Sequence, residues 1–310
     1  MFFSLKLLLG KHVNTYTFTK GLAEILALQE TKGLPFSIIR PSGVCPSIVE
    51  PKVGWVDSYT ALVPFIDTIQ AGIFRSGIIG RKNISDVVPV DMVSNLTIAV
   101  SWKVANDGAQ NNDAPSIYHS SSATSNPIVF EEMFRLTIEN AKIYPPSYIA
   151  WMPQIRYHET KLADNIDRFF TGYLFVNVMD FMLVMFGGKP KAAKSLDRIM
   201  KMYDVLNFAH TQPVNVISNN YKKLMNLMNE YDQKEFYFDP STIKWPEYNK
   251  NMLFGIRKYI WKESGNPQDS FIGKKKLRII KAVSFLLNVL ALGGAAYGFK
   301  KGGECLLSKL

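Results

Sequence analysis

The sequence predicts an α/β region followed by an all-α region and a C-terminal apolar segment. Through residues 1–125, helical and short apolar stretches alternate, the rhythm of a sheet with crossover helices. Beyond residue 145, Met and aromatic residues recur at helical spacing instead. After the basic run "KKKLRIIK", 274–281, comes an apolar stretch, 282–299, with further basic residues behind it.

The elements follow in order. "NTYTFTKGLAE", 14–24, opens a helix that continues with Leu22, Ile25 and Leu26 at helical spacing and Gly33 as its C-cap. "PFSIIRPSGV" is a short apolar run ended by Arg40-Pro41, as in a buried parallel strand whose C-terminal end faces a ligand. "DVVPV" gives a second strand, after which Asp91 caps a helix that buries Val93, Leu96 and Val100. "SIYHSSS", 116–122, is a third strand, and Asn126-Pro127 supply the N-cap and first turn of "VFEEMFRLTIENA". A boundary falls near "YPPSYIAWMPQ", so 126–165 reads as connecting helix and linker, 166–265 as a helical domain and 274–310 as a basic and apolar tail. The helical stripes are Leu196, Ile199, Met200, Tyr203 and Leu206, then Tyr221, Leu224, Met225, Met228 and Tyr231, then Tyr248, Met252, Ile256, Tyr259 and Ile260.

Composition narrows the class. The chain has 310 residues, is 47% hydrophobic and carries a formal charge of +10, which favours an anionic partner. The dense basic run lies before an apolar stretch, placing that charge at a membrane rather than on nucleic acid. Cys45 and Cys305 are too few for a disulfide framework and imply a reducing compartment. "FFTGYLFVNVMDFMLVMFGG", 169–188, is long enough to span a bilayer but contains Asp180, so it reads as a buried or membrane-surface helix. Residues 282–299 read as a tail anchor or shallow insertion, with a basic-capped core helix as the alternative. The chain ends in Ser308, Lys309 and Leu310, a peroxisomal address read by the import receptor, with the endoplasmic reticulum as the alternative location.

For chemistry, Tyr16 and Lys20 stand one helical turn apart on one face. A phenol beside an ammonium can protonate the alkoxide that forms as a carbonyl is reduced. The spacing alone is weak, and Tyr157 and Lys161 repeat it as a surface coincidence outside the α/β region. There is no G-x-S-x-G elbow, Walker loop or metal-ligand spacing among the four histidines, and Cys45 reads as a buried apolar thiol. No glycine-rich dinucleotide turn precedes Tyr16.

Taken together, "NTYTFTKGLAE", "IIRPSGV", "EPKVGWVDS", "DVVPVDMVSN", "IYHSSS", "NNYKKLMNLM" and "WPEYNKNMLFGIRKYIWKE" resemble the fatty acyl-CoA reductases of the kind abundant in arthropods. The resemblance implies the C-terminal part of a Rossmann-like NAD(P)-binding domain, whose first half is absent here, then a helical domain, the whole being the C-terminal portion of a longer protein. It implies that Tyr16 is the catalytic tyrosine, that Lys20 is catalytic and binds ribose, and that Arg40, Pro41 and Val44 meet the nicotinamide. NADPH is then the cofactor and long-chain acyl-CoA the substrate, reduced to a fatty alcohol at a membrane. Gly43 stands where the family has a branched apolar residue, and Val13 where it commonly has Pro. The rival readings are an inactive membrane or interaction protein and another extended short-chain dehydrogenase. Oligomeric state is left open.

Overall fold

The computed structural model describes residue 12 and residues 14–108, 115–185, 187, 190, 192–211, 216–264, 270–286 and 289. Helix α1 (Thr15–Glu30) is capped by Asn14, whose side chain accepts from Thr17 N–H while the Thr17 hydroxyl faces back to the cap. Strands β1 (Ser37–Pro41) and β2 (Gly43–Cys45) form one extended line broken at Ser42. Then come α2 (Val63–Gln70), β3 (Ser76–Gly77), β4 (Val87–Pro89), α3 (Val90–Asp107), β5 (Ser116–Ser120), α4 (Phe130–Ile143) and β6 (Arg156–Tyr157). The pairs are β1 with β5, β2 with β4 and β3 with β6, all parallel, so each requires a crossover.

The remainder is helical. A continuous helix runs through α5 (Lys161–Arg168), a π turn (Phe169–Tyr173) and α6 (Leu174–Met185). After it lie α7 (Ala192–Thr211), α8 (Asn219–Met225), α9 (Glu230–Glu235) and α10 (Trp245–Gly255), which runs into a second π turn (Ile256–Ile260). Residues 271–286 are also helical.

Several local expectations change. Asp91 does not cap α3; it lies in the first turn, and its carboxylate accepts from the backbone N–H groups of Ile48, Val49 and Glu50. It therefore fixes the loop after β2. Asn126 does not cap α4, whose cap is Val129. Its amide instead donates to the carbonyls of Pro240 and Ile243 and accepts from the Trp245 indole N–H. Helix α1 ends at Thr31, with Gly33 (φ +79°) in the turn beyond. The region after 145 is not wholly helical, because β6 completes the pair with β3. Val93 is half-buried, and Tyr231 is exposed; Tyr221, Leu224 and Met228 carry the core side of that segment. The side chain of Leu206 lies outside the described residues.

One hydrophobic cluster spans both regions, from Cys45 and Phe65 to Tyr203, Tyr248 and Ile256. Helix α4 packs between α2 and α10, and α8 packs on β5 and α3. Tyr248 donates to Pro46 O at 2.6 Å, tying α10 to the end of β2. Gly255 meets Gly54 backbone to backbone, where a Cβ on either glycine would overlap the other chain segment. A methyl group at this contact must push α10 off the loop. Gly255→Ala should cost about 3 kcal/mol, read as a lower urea midpoint; an unchanged midpoint would show that the two backbones do not touch.

Candidate active site

The site is built from the C-terminal ends of β1 and β5 and one face of α1. Tyr16, Lys20 and Glu24 follow at four-residue spacing, so they share that face. Lys20 Nζ lies 5.8 Å from the centre of the Tyr16 ring. Glu24 takes a two-point ion pair from Arg40, with Nε to Oε1 at 2.9 Å and the second nitrogen to Oε2 at 2.5 Å. This pair pins the Tyr16–Lys20 face of α1 to the C-terminal end of β1, where open α/β sheets place their ligands. The Arg40 guanidinium holds the Glu24 carboxyl below the usual range, and Glu24 raises Arg40 in return.

His119 is register partner to Arg40 across β1 and β5. Burial, then the Arg40 charge, lower its pKa, which favours a neutral imidazole beside the cation. The serines ending β5 are held by Asp86, which accepts from Ser121 Oγ at 2.6 Å and Ser122 N–H at 2.9 Å. Pro41 is exposed and Val44 half-buried, paired in register with Val88. Sequence reasoning missed Glu24 and His119. Glu24 was findable, because it continues the Tyr16–Lys20 spacing by one turn; His119 faces Arg40 only through strand register.

Tyr16 is 64% exposed and α1 has no buried residue, so the phenol is open to a ligand. At the break between β1 and β2, Ser42 Oγ is a buried hydroxyl with no hydrogen-bond partner among the described residues. An unpaired buried hydroxyl beside Pro41 and Val44 suits a carboxamide, so the reactive end of a nicotinamide nucleotide fits these residues. Tyr157 and Lys161 do not share a helix: Tyr157 is in β6, stacked under Arg81, and Lys161 starts α5. A groove of about 530 Å³ beside them is mixed in charge, with Arg81 paired to Glu131. Among the described residues, no three His, Cys, Asp or Glu side chains gather as metal ligands.

Two models, both described as male sterility protein, match this chain, an NAD-binding one over residues 5–97 and a helical-region one over residues 172–263. Fatty acyl-CoA reductase 2 of Mus musculus is 31% identical over 283 residues, 91% of this chain and 54% of that protein. The chain is similar to the fatty acyl-CoA reductases. The reductase named wat of Drosophila melanogaster is 27% identical over 93% of this chain and 55% of its own length. Fatty acyl-CoA reductase 1 of Rattus norvegicus is 27% identical over 91% and 54%. The chain thus spans about half the length of the curated reductases it matches. Both Tyr16 and Val44 fall within the NAD-binding match.

Cys45 sits near this site without serving it. It is buried, and burial pushes its thiol up to about 12. At pH 8 it should hold roughly three orders of magnitude less thiolate than an exposed cysteine. Peptide mapping after alkylation should find Cys45 unmodified in the folded chain and modified in urea; labelling of the folded chain would contradict its burial.

Proposed function

We propose that this chain is part of a longer, NADPH-dependent reductase that converts long-chain fatty acyl-CoA to fatty alcohol. The observation that carries the reading is the Tyr16–Lys20–Glu24 face, clamped by Arg40 to the C-terminal end of β1. The similarity to those reductases supports the substrate class.

Arg40, Pro41, Ser42 and Val44 would hold the nicotinamide, which when bound would supply the hydride for the thioester carbon. Tyr16 gives its phenolic proton to the carbonyl oxygen as negative charge develops there. Lys20 stabilises the phenolate left behind by its charge and offers donors to the ribose hydroxyls. Loss of the thiol from the resulting hemithioacetal frees CoA and leaves an aldehyde; a second NADPH, bound after the oxidised nucleotide leaves, would supply the second hydride, and Tyr16, reprotonated, the proton that yields the alcohol. The basic helical region and tail hold the protein where the acyl chain partitions, at a membrane. Ser308, Lys309 and Leu310 direct it to the peroxisome. Residues 282–299 are described only in part, and the terminal tripeptide lies outside the described residues.

In a chain extended to the length of its relatives, Tyr16→Phe should lower alcohol formation from acyl-CoA and NADPH by about 10²-fold or more. Retained activity would remove Tyr16 from the chemistry. One observation favours the second reading, a catalytically inactive interaction form: α1 leaves Leu22, Ile25 and Leu26 exposed. NADPH titration of the chain extended to the length of its relatives separates the two. Saturable quenching of intrinsic fluorescence, lost in Lys20→Ala, supports the reductase reading, and the absence of binding supports the other.

A further inference from the structure

The helix over residues 161–185 is inside out. Its three carboxylates turn toward the protein: Asp164 pairs with Arg168 at 2.5 Å, Asp167 receives Arg156 and His158 at 2.8 Å, and Asp180 accepts the Ala193 N–H at 2.9 Å. Among its described side chains the large apolar ones turn outward, apart from buried Val176 and half-buried Tyr173. Leu162, Ile166, Phe169, Val178, Phe181 and Met185 are all exposed, Phe181 by 64% and Met185 by 67%. Solvated helices show the reverse arrangement.

The π turn makes these residues one stripe. It inserts one extra residue per turn, and without it everything from Leu174 onward would rotate by about 100° around the axis. With it, Leu174, Val178 and Phe181 fall in line with Leu162 and Ile166. From Leu162 to Met185 the stripe is roughly 34 Å long at 1.5 Å per residue.

Charge identifies what covers it. No carboxylate between 161 and 185 is exposed; exposed Lys161 stands at one end next to exposed Glu159, and Lys189, Lys191 and exposed Lys194 follow the other, ahead of exposed Asp197, which Lys201 pairs, so lysines outnumber carboxylates at the flanks. No helix among the described residues is long and apolar enough to cross a membrane. We infer that this face seats on an anionic bilayer surface, with the 161–185 helix lying in the membrane plane and its stripe among the acyl chains. The surface is separate from the basic run at 274–281, and the inference holds whether or not the chain reduces any substrate.

Flotation of the full chain with phosphatidylcholine vesicles, with and without phosphatidylserine, tests it. The chain should float, more strongly with phosphatidylserine, and Phe169→Asp/Phe181→Asp should abolish flotation with an unchanged circular dichroism spectrum and melting curve. A variant with Lys274, Lys275, Lys276 and Arg278 changed to Gln should still float. Loss of flotation in the 274–278 variant alone would overturn the assignment. So would a lipid-free dimer that Phe169→Asp/Phe181→Asp dissociates, because a second copy would then be the occupant. If the Asp variant misfolds, an environment-sensitive dye at Phe181→Cys, in a Cys305→Ser background, should shift to the blue on vesicle addition. No shift would refute the contact.

Discussion

Asp67 is the constraint on which the two halves of the molecule depend. Its carboxylate is buried and accepts four hydrogen bonds, from the hydroxyls of Tyr59 and Tyr148, the Gln70 amide and the Trp261 indole. These donors come from the loop before α2, α2 itself, the linker near 148 and the segment after α10. Burial raises the Asp67 pKa and each donor pulls it back, so the group is tolerable only while the set is complete. Gln70 extends the network by accepting from Arg257, a buried guanidinium whose other nitrogen reaches Tyr144 O. Removing any one donor leaves a desolvated acceptor short of a partner, a penalty of about 1–3 kcal/mol.

That network explains why a site on a sheet edge can depend on a helical region. The lock on Asp67 holds the linker and α10 against α2. From there, Tyr248 fixes Pro46 and Gly255 fits against Gly54, so the chain leaving β2 has one path. Asp91 gathers the next three backbone N–H groups of that path. The strand ends that present Arg40, Ser42 and Val44 are thereby set from behind, by residues far away in sequence.

Much of this was legible in sequence because it depends on short-range pattern. The Tyr16–Lys20 spacing, the apolar runs at 37–41, 87–89 and 116–120, and the helical stripes at 196–203 and 248–256 all appear where periodicity puts them. What was not legible uses the same residue types over long range. Asp91 and Asn126 look like caps because caps and loop anchors need the same short acceptors. A two-residue strand such as β6 has no period to detect. For the 161–185 helix, the period reveals two faces but not which one turns inward, because that is decided by Arg156, His158 and Arg168.

The Glu24–Arg40 pair stands apart from this rigid frame. Helix α1 buries nothing, and among the described residues this pair is its only side-chain hydrogen bond to the sheet. Both partners are partly exposed, so the link weakens with ionic strength. Helix α1 consequently sits at the low end of the molecule's local stability, and its amide protons should exchange well before those of α2 or α4. The residues with the most demanding geometry thus ride on the element with the softest attachment, and whatever docks against α1 supplies the order that the fold itself does not.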